Sequence, residues 1–267
     1  MTGERIAFIG LGNMAGAIIR GLRNSQAYAE AQLVGYDRNA DKRDRFAREL
    51  GVQIARNACD AARQCRVVVL AVKPHQMADL LTEMKPCLQQ QVIISLAAGK
   101  PLSFYEDILG GGHALLRAMP NINARVSASM TGLCRNQEVS DSQLGIASDL
   151  FDALGSVAVL PESQLAAFSA IAGAGPAFAY AFIDALASAG VQAGLTRELA
   201  QRAACGMLFG SAKLVAETGE HPRALVDQVT SPGGTTIEGV HQLAAHGFEH
   251  AVHAAVKAVI EKNERMK

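Results

Sequence analysis

The sequence predicts an α/β protein, with a doubly wound parallel sheet in its first half and an all-helical domain in its second. Three observations carry this expectation. The chain opens as strand, tight turn and helix. Short apolar runs then alternate with amphipathic helical spacing. From Pro161 the strand-like runs stop, and alanine-rich helical spacing continues to the end.

In the opening stretch, the apolar run 6–9 breaks at Gly10 and resumes with helical spacing at Met14, Ala17, Ile18 and Leu22. Gly10, Gly12 and Ala15 fill the places of a G-x-G-x-x-G/A turn. Its first two glycines let the backbone pass close to a pyrophosphate, and its small third residue packs helix on strand. The anion then rests on the free N–H groups of the following helix. A glycine triplet alone says little; here it directly follows a strand, and Asp37 stands at the end of the next one. The stretch reads as a Rossmann-type dinucleotide site.

Residues 33–36 form the second strand and 40–50 a charged surface helix. Residues 67–72 are six apolar residues ended by Lys73 and Pro74, a buried central strand that cannot continue past the proline. Residues 92–96 make the next strand, followed by Ala97, Ala98 and Gly99. Residues 115–118 and 133–134 are short strands, 110–112 a glycine turn, 141–154 a helix, and 157–160 close the sheet. Beyond Pro161, Thr196 caps a helix running to about residue 217 and Pro222 starts a shorter one. Thr235 and Thr236 open a third, which Gly247 terminates, and 249–265 forms the last. The domains are therefore placed at 1–158, dinucleotide-binding, and 159–267, helical.

Bulk properties exclude several classes. Lys+Arg and Asp+Glu number 25 each, so no net field draws nucleic acid or an anionic membrane. Only four apolar residues stand between Arg5 and Gly10, too few for a secretory signal. Cysteines 59, 65, 87, 134 and 205 form no C-x-x-C pair and read as reduced packing residues of a cytoplasmic protein. The uncharged segment 165–183 has the length of a membrane span. It is mostly small residues without basic flanks, however, and better suits close helix packing at a subunit interface.

In a doubly wound sheet, ligands bind outside the carboxyl ends of the strands. There Asp37 suits adenosine ribose hydroxyls, favouring NAD, while Arg38, with Lys42 a turn along, suits a 2′-phosphate. The balance leans to NADP. Lys73 suits a phosphate or ribose hydroxyl, and equally a solvated lysine before a stop proline. A second chemical stretch is 229–239, where Ser231, Gly233, Gly234, Thr235 and Thr236 make a turn feeding a helix start. This is a nest of N–H and hydroxyl donors for a carboxylate, or else plain helix capping. His246, Glu249 and His250 match the H-x-x-E-H zinc pattern, but Gly247 interrupts the helix it requires. The first helical segment of the second half lacks the lysine and asparagine, one turn apart, that carbonyl-reducing dehydrogenases of this plan employ. A substrate whose own nitrogen takes up the proton needs neither.

The chain resembles the pyrroline-5-carboxylate reductases over nearly its whole length. The residues carrying the likeness are 10–15, 71–74, Met119-Pro120-Asn121, 173–178 and, most specifically, 231–236. One departure is visible: Ala174 and Phe178 stand where the family often has serine and tyrosine, so a hydroxyl is lost at each. The resemblance implies NAD(P)H-dependent reduction of a cyclic imine to L-proline, and a helical domain that makes an obligate dimer and often a ring of dimers, such as a decamer. It implies that Gly10, Leu11, Gly12, Asn13, Met14 and Ala15 hold the pyrophosphate and that Asp37, Arg38 and Asn57 face the adenosine. It further implies that Ala71, Val72, Lys73, Pro74, Ala97 and Ala98 line the path to the nicotinamide. The substrate carboxylate would rest on Ser231 and 233–236. The Thr236 hydroxyl would serve the ring nitrogen as the catalytic group, with Glu162 nearby, from the same or a neighbouring subunit. A β-hydroxyacid dehydrogenase and a non-catalytic dinucleotide sensor are the alternatives; the missing Lys/Asn pair argues against the first and the 231–236 nest against the second.

Overall fold

The computed structural model describes residues 4–26 and 32–265. In chain order its strands are β1 (Ile6–Ile9), β2 (Leu33–Tyr36), β3 (Gln53–Ile54), β4 (Val67–Leu70), β5 (Val92–Ser95), β6 (Ala114–Met119), β7 (Ser129–Arg135) and β8 (Gly155–Val159). Among them run helices α1 (Asn13–Asn24), α2 (Ala40–Leu50), α3 (Ala58–Arg63), α4 (Met77–Met84), α5 (Leu102–Leu109) and α6 (Asp141–Asp152). Beyond the sheet come α7 (Glu162–Phe168), α8 (Gly175–Gln192), α9 (Arg197–Thr218), α10 (Pro222–Val229), α11 (Thr235–Ala245) and α12 (Phe248–Glu264).

The strand order is β3-β2-β1-β4-β5-β6-β7-β8, parallel throughout except between β6 and β7. Strands buried on both faces supply alternate residues to two cores. Ile6, Phe8, Val67, Val69, Val92 and Ile94 enter one, with Ile18 and Leu22 of α1 and Leu150 and Phe151 of α6. Ala7, Ile9, Val68, Leu70 and Ile93 enter the other, with Met77 and Leu81 of α4 and Tyr105 of α5. That is why the central runs carry no polar alternation.

The sheet is doubly wound and parallel-dominated as expected, with one antiparallel pairing. β6 returns to β7 through a short 3-10 turn (Ile122–Val126), and so brief a return permits only an antiparallel neighbour. β3, α3, α4 and α5 are each too short to show a sustained period in the sequence. The cysteine expectation is corrected: Cys59 on α3 and Cys87 just beyond α4 form a disulfide, their Cα atoms 5.5 Å apart. Packing of α3 beside the end of α4 joins residues 28 apart, which no local pattern signals. Cys65 and Cys134 are free and buried, and burial pushes both thiols up to about 11, so they stay neutral.

Two compact units are present, one of Met1–Ala174 with Val259–Lys267, the other of Gly175–Ala258. Within the second, α8 and α9 pack on each other, and Tyr180, Met207, Phe209, Leu214 and Phe248 are exposed on its surface. The segment 165–183, read from sequence as one apolar stretch, is α7, a π-helical turn (Ser169–Gly173) and the start of α8.

Candidate functional site

The glycine turn lies where β1 and β4 separate. Gly10 has φ +99°, and a Cβ there would stand 2.8 Å from the Ala71 carbonyl carbon and 2.9 Å from Val72 Cγ1. No other residue fits. Its N–H donates to the Tyr36 carbonyl at 2.7 Å. Gly12 is the N-cap of α1 and supplies no side-chain cap, and a Cβ there would meet no protein atom within 4 Å. The space beside it and the uncapped start of α1 are what a pyrophosphate requires, so the residues present fit a dinucleotide.

A cavity of about 140 Å³ runs from this turn along the strand ends. It gathers Gly10, Gly12, Asp37, Arg38, Ala71, Val72 and Lys73 of the expected residues. Leu11 contributes its backbone: its N–H donates to Asp37 Oδ2 at 2.8 Å. Ala15 is fully buried, Met14 packs against the core, and Asn13 lines a separate depression with Arg20 and Arg45. Pro74 opens a 3-10 turn (Pro74–Gln76), but β4 has already ended at Leu70, so the strand is two residues shorter than the expected 67–72 and the proline is not what ends it. Asn57 is not among the cavity residues; its Oδ1 accepts the Asp60 N–H and caps α3. Gln76 and Leu80 also line the cavity and were not foreseen, because only the packing of α4 brings them to it.

Asp37 is heavily engaged. Besides Leu11, Lys42 Nζ reaches Oδ2 at 3.4 Å and the Asn39 N–H reaches Oδ1 at 2.9 Å. A carboxylate has about four acceptor sites, so one remains for a ribose hydroxyl. Arg38 is exposed, 3.4 Å from Glu83.

Ala97 and Ala98 follow β5. The Ala97 N–H donates to Ser95 Oγ at 3.2 Å, and Ser95 Oγ lies 2.5 Å from the Tyr105 hydroxyl, so a buried pair holds this turn. Burial, more than any neighbour, raises the Tyr105 pKa, and the phenol stays neutral. Ala98 borders a second cavity, about 350 Å³, shared with Gly99, Met119, Arg117 and Glu162. Arg117 Nη1 donates to Glu162 Oε1 at 2.7 Å. Asn121 donates from Nδ2 to the Ala172 carbonyl at 2.9 Å and ties the end of β6 to the π-turn. Ser95 and Tyr105 carry no functional signal in the sequence, and Arg117 only a faint one. A lone arginine within the apolar run 114–119 was the one available signal.

In the second unit, Gly233 has φ +68° and the Gly234 N–H donates to the Ser231 carbonyl at 3.0 Å, closing the turn before α11. Gly234 is the N-cap and no side chain caps this end, so neither Ser231 nor Thr235 serves in that role. Ser231, Thr235 and Thr236 are exposed. His246 ends α11, and Gly247, at φ +73°, separates it from Glu249 and His250 on α12.

The doubly wound sheet and its glycine turn define a nicotinamide-dinucleotide-binding protein with an appended helical region. Residues 5–99 match the family described as coenzyme F420-dependent NADP oxidoreductase, and residues 162–266 match pyrroline-5-carboxylate reductase dimerisation. The chain is 37% identical to a pyrroline-5-carboxylate reductase of Escherichia coli and 36% identical to one of Synechocystis, covering 98% of both chains in each case. Among solved structures it is similar to the NADP-bound pyrroline carboxylate reductase of Plasmodium falciparum, with a TM-score of 0.92 and 29% identity over 100% of this chain and 99% of that one. The chain belongs to the pyrroline-5-carboxylate reductase family.

Proposed function

We propose that the chain reduces Δ1-pyrroline-5-carboxylate to L-proline with NAD(P)H, the last step of proline biosynthesis. The carrying observation is the pairing of a glycine turn fitted to a dinucleotide with full-length membership of the family. When bound, the nicotinamide supplies a hydride to the imine carbon. The chain's part is positional: a protonated imine is a strong electrophile, and holding it at contact distance supplies most of the rate. The α1 N-terminus grips the pyrophosphate, and the Ala71–Lys73 and Ala97–Ala98 turns shape the path to the nicotinamide. The substrate carboxylate rests on Ser231 and the 233–236 backbone, each charge-assisted bond worth about 1.5–3 kcal/mol. The imine N–H donates to Thr236 Oγ1, and solvent supplies the nitrogen's proton. Oxidation of NADPH, followed by its absorbance, on adding pyrroline-5-carboxylate tests the assignment; hydroxy- and ketoacids turned over in its place would overturn it.

NADP is the preferred cofactor in this reading, with NAD accepted. The engagement of Asp37 by three donors and the cation pair Arg38 and Lys42 support it. Arg38→Ala should raise KM for NADPH about tenfold and leave KM for NADH within about twofold. Equal effects on the two cofactors would show that Arg38 does not read the 2′-phosphate.

Within the second unit, the exposed Met207, Phe209 and Leu214 of α9 suit burial against a second copy, which supports an obligate dimer; a ring of such dimers, such as a decamer, rests on the family resemblance alone. We place the protein in the cytoplasm on its biosynthetic role, and its balanced charge supports binding to neither nucleic acid nor an anionic membrane surface. A dimerisation match that begins at residue 162 supports a domain division at 158/159, although the compact units themselves divide at 174/175.

A further inference from the structure

Arg117 sits in β6 with its side chain 9% exposed, and a guanidinium so buried requires a partner. Its Nη1 donates to Glu162 Oε1, and the N–H of Leu102, the first residue of α5, donates to the same oxygen at 2.7 Å. No hydrogen bond to Glu162 Oε2 is made by the described residues. Among the described residues, the buried Arg117 Nε finds no hydrogen-bond partner. Both side chains line the 350 Å³ cavity beside Ala98. One carboxylate oxygen is thus pinned by two donors from separate elements, and the other is left for whatever enters.

We infer that Arg117 is a positioning residue for imine reduction, fixing Glu162 through Oε1 so that Oε2 stands as counter-charge to the protonated ring nitrogen. This rests on the function proposed above. The Leu102 N–H alone, although at the favourable end of the α5 dipole, is a single contact about which the carboxylate can swing. The guanidinium adds a second fixed direction, and the carboxylate in turn offsets the cost of burying Arg117. A lysine carries the charge without that planar geometry and restores it only in part.

The test uses the full-length oligomeric enzyme and its Arg117→Met, Arg117→Lys, Glu162→Gln and doubly substituted Arg117→Met/Glu162→Gln forms, with thermal melts alongside kinetics. Arg117→Met should lower kcat/KM for the imine about 10–100-fold, the scale of a misplaced contact. KM for NADPH should stay within about twofold, and Arg117→Lys should recover part of the loss. In the Glu162→Gln background the Arg117→Met cost should fall below about threefold, since both changes remove one interaction. Wild-type kcat/KM in Arg117→Met, or an undiminished cost in that background, overturns the proposal. Should Arg117→Met fail to fold, Arg117→Lys decides, and kcat/KM equal to wild type there overturns it. A wild-type enzyme inactive on the imine would instead remove the function proposed above, so the two failures are distinct.

Discussion

Gly10→Ala is expected to weaken NADPH binding about 100-fold or more and to destabilise the fold by about 2–5 kcal/mol. The methyl group would enter at φ +99°, a backbone region costing an L-residue about 1–2 kcal/mol. It would also stand within 2.9 Å of the Ala71 backbone, which cannot yield as a flexible side chain does. The turn must move, and with it the N–H groups that face the pyrophosphate. Gly12→Ala separates the two effects. Its Cβ meets no protein atom within 4 Å, so melting should be nearly unchanged while cofactor affinity falls. Fluorescence titration with NADPH beside calorimetry measures both. Wild-type affinity in Gly12→Ala would mean that the pyrophosphate does not pass that glycine.

Thr236→Ala should lower kcat/KM for pyrroline-5-carboxylate about 10–100-fold, the loss of one positioned hydrogen bond of ~1.4–2.8 kcal/mol. Thr236 is exposed on the first turn of α11, whose N-cap Gly234 brings no side chain, so its removal disturbs no cap. Melting temperature should therefore hold, and Thr236→Ser should keep most of the activity. Steady-state kinetics on the purified variants decide; full activity in Thr236→Ala would remove the hydroxyl from the mechanism.

The element types were legible because they rest on local spacing. The runs 6–9, 67–70 and 92–94 are apolar because both sheet faces bury them, and the glycine at 10 follows from backbone approach at one turn. The 3-10 turn opened by Pro74 and the helix break at Gly247 are likewise properties of single residues. Such features need no distant partner, so the amino-acid order by itself determined the doubly wound half, the helical half and the two donor-rich turns.

Only the tertiary structure decided what depends on residues far apart in the chain. The antiparallel β6–β7 pairing, the Cys59–Cys87 disulfide and the entry of Gln76 and Leu80 into the cofactor cavity each follow from how helices settle on the sheet. The union of Arg117 with Glu162, 45 residues apart, is of the same kind. A buried charge announces in sequence that it must find a counter-charge, but packing alone selects which one, because the low-dielectric interior penalises every arrangement except the one that closes the pair.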